Sequence, residues 1–185
     1  MRAEIDAEGG TVEKYIGDAV MAAFGVPAAH EDDPARALRA ARRMQRRLAE
    51  LNGELAATYG IELRMRIGVN TGEVLAATAP RPGEALATGD AVNVAARLQP
   101  AAEPGQIVVG ERTAAAVRGF ALEPLPALEL RGKPEAVGAM LLAGETDEPA
   151  RGIPGLRSPM VGRDGEVALL TSLLRRVADD RAATS

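Results

Sequence analysis

The 185-residue chain has no cysteine, no tryptophan, one histidine and two lysines, and each absence narrows what it can do. Without cysteine there is no disulfide, no thiolate nucleophile and no Cys-ligated zinc, and His30 alone makes no histidine metal centre, so any metal must be held by oxygen. Two tyrosines and two phenylalanines, with a formal charge of −4 and a pI near 5.2, supply neither the stacking aromatics nor the basic surface of a nucleic-acid module. No apolar run approaches the roughly 20 residues that span a bilayer, and the opening MRAEIDAEGG is charged, unlike a basic-then-apolar signal peptide. The expectation is a cytoplasmic protein with no nucleic-acid and no membrane partner. What is present, 46% hydrophobic and 26% charged residues, suits a folded core.

Residues 11–16 and 19–24 read as two strands around Gly17 and Asp18, a Gly-X pair suited to a two-residue hairpin loop. HEDD at 30–33, followed by Pro34, announces a helix running to about Tyr59. Its apolar stripe is Ala37, Leu38, Ala41, Met44, Leu48, Leu51 and Leu55, and Gly60 stops it. Six arginines between Arg36 and Arg47 fill much of the remaining surface, which reads as a solvated face rather than a patch for an anionic partner. Alternation over 62–71 predicts a strand, followed by a turn at Thr71 and Gly72 and a second strand over 73–78. Residues 79–85 read as a loop, and Asp90 caps a short helix that should break near Pro100. A brief strand at 105–110, a helix at 111–118 and strands at 120–130 and 136–142 complete an α/β or α+β layering of helices on a sheet. Residues 144–158 lose periodicity to Pro, Gly and charge and read as a linker, after which 159–185 regain a helical stripe as the start of a second domain.

Four phrases, GGTVEKYIGDAVMAAFG, LRMRIGVNTGEV, GDAVNVAARL and LRGKPEAV, stand in this order at these separations. Together they resemble the class III nucleotidyl cyclase catalytic domain over about residues 1–143. The tail PMVGRDGEVALLTSLL is similar to the segment leading into the ATPase domain that follows such cyclases, although no GxxxxGK[ST] occurs. The resemblance implies an α+β domain with a ferredoxin-like βαββαβ-type sheet. It further implies conversion of ATP to 3',5'-cyclic AMP: the ribose 3'-hydroxyl oxygen attacks the α-phosphate, gives up its proton, and pyrophosphate leaves. Two Mg²⁺ (or Mn²⁺) ions serve that reaction in the family. Since such a displacement needs little covalent help, the protein's tasks are to hold the nucleophile in line and to neutralise moving charge.

The same resemblance assigns roles. Asp18, which in isolation reads as an ordinary Gly-Asp turn, becomes a metal ligand. Lys14, one of only two lysines beside twenty arginines, becomes the donor to the purine, where a compact ammonium and a planar guanidinium are not interchangeable. Lys133 becomes a polyphosphate contact. Asn93 and Arg97, four apart on one helix face, become the amide that orients the ribose and the guanidinium that stabilises the transferring phosphoryl group. Because the family places the Lys14 and Asp18 type residues of one chain against the Asn93 and Arg97 type residues of another, a homodimer with shared sites is implied.

Two departures temper this. The family's first metal-binding aspartate lies in a strand upstream of the GG phrase, and Asp6, in the leading helix, is no substitute, so weak metal binding and little turnover are expected of a domain that lacks it. Where the family usually has Asp or Thr to complete purine recognition, this chain has Leu86, with Thr88 two residues on as the available replacement. A non-catalytic cyclase-like module that dimerises or senses nucleotide, and regulates an attached ATPase, is the alternative.

Overall fold

The computed structural model describes residues 1–76, 87–128, 136–146 and 172. The chain divides into units 1–150 and 151–185, and all described residues but Ser172 belong to the first. Helix α1 (Arg2–Ala7) leads into a hairpin of β1 (Thr11–Ile16) and β2 (Ala19–Ala23), and the long helix α2 (Asp33–Tyr59) follows. Then come β3 (Ile67–Val69), β4 (Leu75–Ala76), β5 (Ala87–Thr88), α3 (Asp90–Ala101), β6 (Ile107–Gly110), α4 (Glu111–Ala116), β7 (Phe120–Pro124) and β8 (Ala139–Glu145).

Four strands form one mixed sheet in the order β3-β6-β8-β7, with β3 and β6 parallel and the other neighbours antiparallel. The parallel pair needs a crossover, and α3 lies within it, packed on β3 and β6. Strand β6, sequence IVVG, is apolar throughout because both of its faces are covered. Val108 points into a cluster with Val94, Leu98 and Ala102 of the α3 segment, and with Ala139. Ile107 and Val109 point the other way, into Leu38 and Ala41 of α2 and Val117. Val108, Val109, Leu38 and Leu98 are wholly buried, each burial contributing about 1.5–3 kcal/mol before conformational entropy is charged against it. The α+β class is as expected. The hairpin β1-β2 and the short β4-β5 ladder stand as separate two-stranded pieces.

The predicted hairpin and long helix recur within a few residues of their expected ends, while the strand expected over 120–130 ends at Pro124 and that expected over 136–142 runs from Ala139 to Glu145. The strand expected over 62–71 shrinks to Ile67–Val69. In the segment before it, α2 side chains hold the Leu63 backbone groups, and the Met65 carbonyl is shared between Gln45 and the Gly105 N–H at 2.9 Å. The Asn52 amide donates to the Leu63 carbonyl at 2.8 Å and accepts from the Leu63 N–H at 2.9 Å, while Gln45 Nε2 donates to the Met65 carbonyl at 3.0 Å. Helix α3 starts with Asp90 as its first helical residue and Gly89 at the N-cap, and it runs one residue past Pro100. Pro100 has no N–H to donate to the Ala96 carbonyl, and the helix ends one residue later. Residues 77–86, 129–135 and most of 147–185, which include the expected loop and most of the expected linker and second domain, lie outside the described residues, while Gly144 and Glu145, expected to open the linker, belong to β8.

The arginine-rich face of α2 is spent within the domain. Arg39 Nε meets Glu8 Oε2 at 2.8 Å and Arg43 Nε meets Glu4 Oε2 at 2.9 Å, tying α1 to α2 around the buried Ile5, and Arg42 pairs with Glu145 of β8. Burial disfavours the charge on Arg39, yet the Glu8 and Asp32 carboxylates outweigh it and raise its pKa above the ordinary arginine value. Desolvation likewise pushes Asp32 upward, but its hydrogen bonds from Arg39 and Arg36 and their charges leave it below the usual carboxylate value.

Candidate active site

The sequence-predicted residues fall on two supports. Lys14 and Asp18 sit on the β1-β2 hairpin, whose loop is the pair Gly17 and Asp18, since Ile16 and Ala19 are the last partners in register. Gly17 takes φ +62° while Asp18 keeps a negative φ, as every non-glycine described here does, which is the arrangement of a tight turn with glycine first. This sends the Asp18 carboxylate to the exposed tip of the hairpin. Lys14 is half exposed, and its Nζ lies 3.5 Å from Glu13 Oε1.

Thr88, Asn93 and Arg97 belong to the second support, the crossover helix α3 and its approach. Asn93 is exposed and Arg97 half-buried, while Val94 and Leu98 on the adjoining stripe are buried. The helix therefore presents the amide and the guanidinium to one side and anchors itself to the sheet by the other. Thr88, exposed at the end of β5, lies just before Gly89. At φ +147° and ψ 179° Gly89 occupies a conformation open in practice only to glycine, and the Glu73 carbonyl faces it, so the start of α3 is set by backbone geometry.

The second phrase, GVNTG, has a role that periodicity did not reveal. Gly68 lets β3 press on α3, because any side chain there would meet the Ala95 carbonyl and the Gln99 backbone nitrogen. Asn70 donates from Nδ2 to the Ala91 carbonyl at 3.1 Å, and Gly72 leaves room for the Ala91 methyl. Thr71 Oγ1 and Thr113 Oγ1 are 2.9 Å apart, joining the same loop to α4. Gly68, Asn70 and Gly72 thus fix the depth, start and tilt of the helix that carries Asn93 and Arg97. Their spacing of two, glycine or amide at each alternate position from 68 to 72, is the signal that could have identified them.

Among the described residues, no hydrogen bond or ion pair joins Lys14 or Asp18 to Asn93 or Arg97. Two surface cavities, one of about 250 Å³ beside Gln45, Leu48 and Asn52, include none of the predicted site residues. No three of His, Asp and Glu among the described residues are grouped so as to hold a metal ion. Asp18, the only carboxylate placed at the hairpin tip, is not a two-ion site by itself, since bridging two magnesium ions takes more than one oxygen ligand from the protein. Lys133 and Leu86 lie outside the described residues. No described helix is long and apolar enough to cross a membrane.

This arrangement agrees with comparisons to known proteins. An adenylate cyclase of Anabaena cylindrica is 37% identical over 101 residues, covering 51% of this chain and 19% of that relative, so the chain spans a small part of the longer protein. The guanylyl cyclase Cya2 structure superposes with a TM-score of 0.68 at 27% identity, over 79% of this chain and 76% of that one. The adenylyl cyclase CyaB from P. aeruginosa shares the fold, with a TM-score of 0.71 at 23% identity over 81% and 79% of the two chains. The family profile of the adenylate and guanylate cyclase catalytic domain matches residues 1–143, and with the hairpin and the anchored helix in place the chain belongs to that family.

Proposed function

We propose that residues 1–143 act as a nucleotidyl cyclase domain that converts ATP to 3',5'-cyclic AMP and pyrophosphate across a homodimer. The observation that carries this reading is the exposed Asn93 and half-exposed Arg97 pair on a helix whose other stripe is locked into the sheet core. Such a helix fixes the backbone from which the amide and guanidinium project, which lowers the cost of ordering them on a ligand. Asn93 would hold the ribose so that its 3'-oxygen faces the α-phosphorus in line. Arg97 would carry charge as it accumulates on the transferring phosphoryl group, a contribution worth about 10²–10³ in rate when one such donor is removed from a preorganised site. Lys14 and Thr88 would meet the purine, Lys133 the polyphosphate. Since Lys14 and Asp18 touch neither Asn93 nor Arg97 within the described protomer, a second copy facing the first would complete two sites. Mg²⁺ or Mn²⁺ would supply neutralisation of the triphosphate. Asp18 alone is a poor holder for it, so weak metal binding and low turnover are proposed for these residues.

A second reading, a nucleotide-sensing module that regulates an attached ATPase, is favoured by Leu86, which cannot hydrogen bond, and by the lone carboxylate at the hairpin tip. Cyclic AMP formation from ATP with Mn²⁺ separates the two. Turnover abolished by Asp18→Ala and by Arg97→Ala, and regained on mixing the two variants, supports shared catalytic sites. ATP binding without any cyclic AMP supports the sensing module. Turnover equal in the wild type and both variants would sink the assignment of these residues.

A further inference from the structure

Strand β1 is not regular. Val12 pairs with Ala22 and Lys14 with Met21, so two steps on β1 oppose one on β2 and Glu13 is the extra residue of a bulge. Bulges re-aim side chains and gather beside functional sites. Here the result is unusual chemically. The Glu13 side chain is 3% exposed, and among the described residues no donor makes a hydrogen bond to either of its carboxylate oxygens. Among the described residues it forms one ion pair, with the Lys14 ammonium 3.5 Å from Oε1, and Lys14 is itself 50% exposed. A buried carboxylate without hydrogen bonds is costly to the fold, and a glutamine or an aliphatic residue would fill the same space without that charge.

We propose that Glu13 is a positioning residue for Lys14 and, through it, sets the purine preference of the site; this rests on the nucleotide-binding reading above. Lysine has a flexible four-carbon stem, and a fixed negative charge buried at its root side holds the ammonium at one place on the hairpin. One N–H then faces Glu13 and the others face outward. The ring nitrogen N1 of adenine accepts a hydrogen bond, whereas N1–H of guanine donates one, so a held ammonium favours adenine. With Leu86 unable to take part, that discrimination falls on Lys14 and on whatever holds it. Glu13 is too deeply buried to touch the base itself.

The test uses the whole chain with 3'-deoxy-ATP and 3'-deoxy-GTP, which lack the attacking hydroxyl, and reads the ratio of their affinities in the presence of Mn²⁺. Wild type should prefer the adenine nucleotide, and Glu13→Gln, nearly the same shape, should narrow the ratio by roughly tenfold. Because Lys14 is one of only two lysines, lysine labelled with ¹³C at Cε gives two signals. The one lost in Lys14→Arg should shift in Glu13→Gln while the other stays. If Glu13→Gln does not fold, Glu13→Asp withdraws the carboxylate by one methylene and the same ratio decides. A purely structural role would weaken both nucleotides equally, leaving the ratio unchanged, and that result overturns the proposal alone, as does a wild type that binds both nucleotides equally. Wild type that binds neither nucleotide overturns the cyclase reading together with the proposal.

Discussion

Helix α3 and the β1-β2 hairpin carry the two halves of the candidate site, and they are held in opposite ways. The helix is clamped on its inner side by Val94, Leu98 and Ala102 against Val108 and Ala139, and from above by Gly68, Asn70 and Gly72. Among the described residues the hairpin pairs only with itself, and it is attached at its base, where Ile5 and Phe24 leave no room for a side chain at Gly10 and Thr11 Oγ1 donates to the Val26 carbonyl at 3.3 Å. Its tip, with Tyr15, Ile16 and Asp18, is exposed. The difference teaches that Asn93 and Arg97 project from a helix anchored in the packed core, whereas Lys14 and Asp18 project from an exposed hairpin.

That contrast can be broken by substitution. Leu98→Ala should have the largest effect, a loss of about 2–5 kcal/mol in urea unfolding, because Leu98 is wholly buried between α3 and the sheet; a loss under about 0.5 kcal/mol would mean that α3 is not core-anchored. Gly68→Ala should follow, costing about 1–3 kcal/mol by overpacking β3 against the α3 backbone. Faster hydrogen exchange confined to α3 amides would sharpen the claim that Gly68 sets the depth of that helix, and unchanged exchange there would refute it. Gly17→Ala places a Cβ in open space but at φ +62°, so it should lose only about 1 kcal/mol through backbone strain. Its effect should appear in hairpin amides and leave α3 unaltered, as NMR shift changes can establish.

The smallest effect concerns acid. Asp32 has a pKa lowered in the folded state, so the stability it contributes is present above the unfolded carboxylate value of about 4 and is lost as pH falls through the lower folded value. Asp32→Asn should therefore flatten the loss of stability on the acid side of that window while leaving the arm above it parallel to wild type. An unchanged acid limb would show that the Arg36 and Arg39 pairs with Asp32 do not contribute.

Much of this was legible in the amino acids. The hairpin announced itself through Gly17 and Asp18 between apolar runs, and the long helix through its stripe and the stop at Gly60, because turn chemistry and helical period are local properties. Asn93 and Arg97 were legible as a pair for the same reason, being one turn apart. The strand over 62–71 was overread, since alternation cannot tell a strand with a neighbour from an extended segment whose backbone is held by Asn52 and Gln45 of a distant helix. Asp90 was misplaced as a cap because Gly89 takes that position at φ +147°, beside the Glu73 carbonyl sixteen positions earlier in the chain, and local sequence does not reveal this. Glu13 passed unremarked for a similar reason: a glutamate in a strand reads as a solvated residue, and only the shifted pairing with β2 turns it inward.

By itself the sequence determined the helices, the turn and the chemistry of the side chains available, since these follow from period, propensity and residue type, while the family is carried by four ordered phrases that resemble its members. Only the tertiary structure decided which of those side chains are buried, bonded or left facing outward. Burial and contact depend on what lies across the sheet or helix interface, and residues that meet there are separated along the chain by tens of positions.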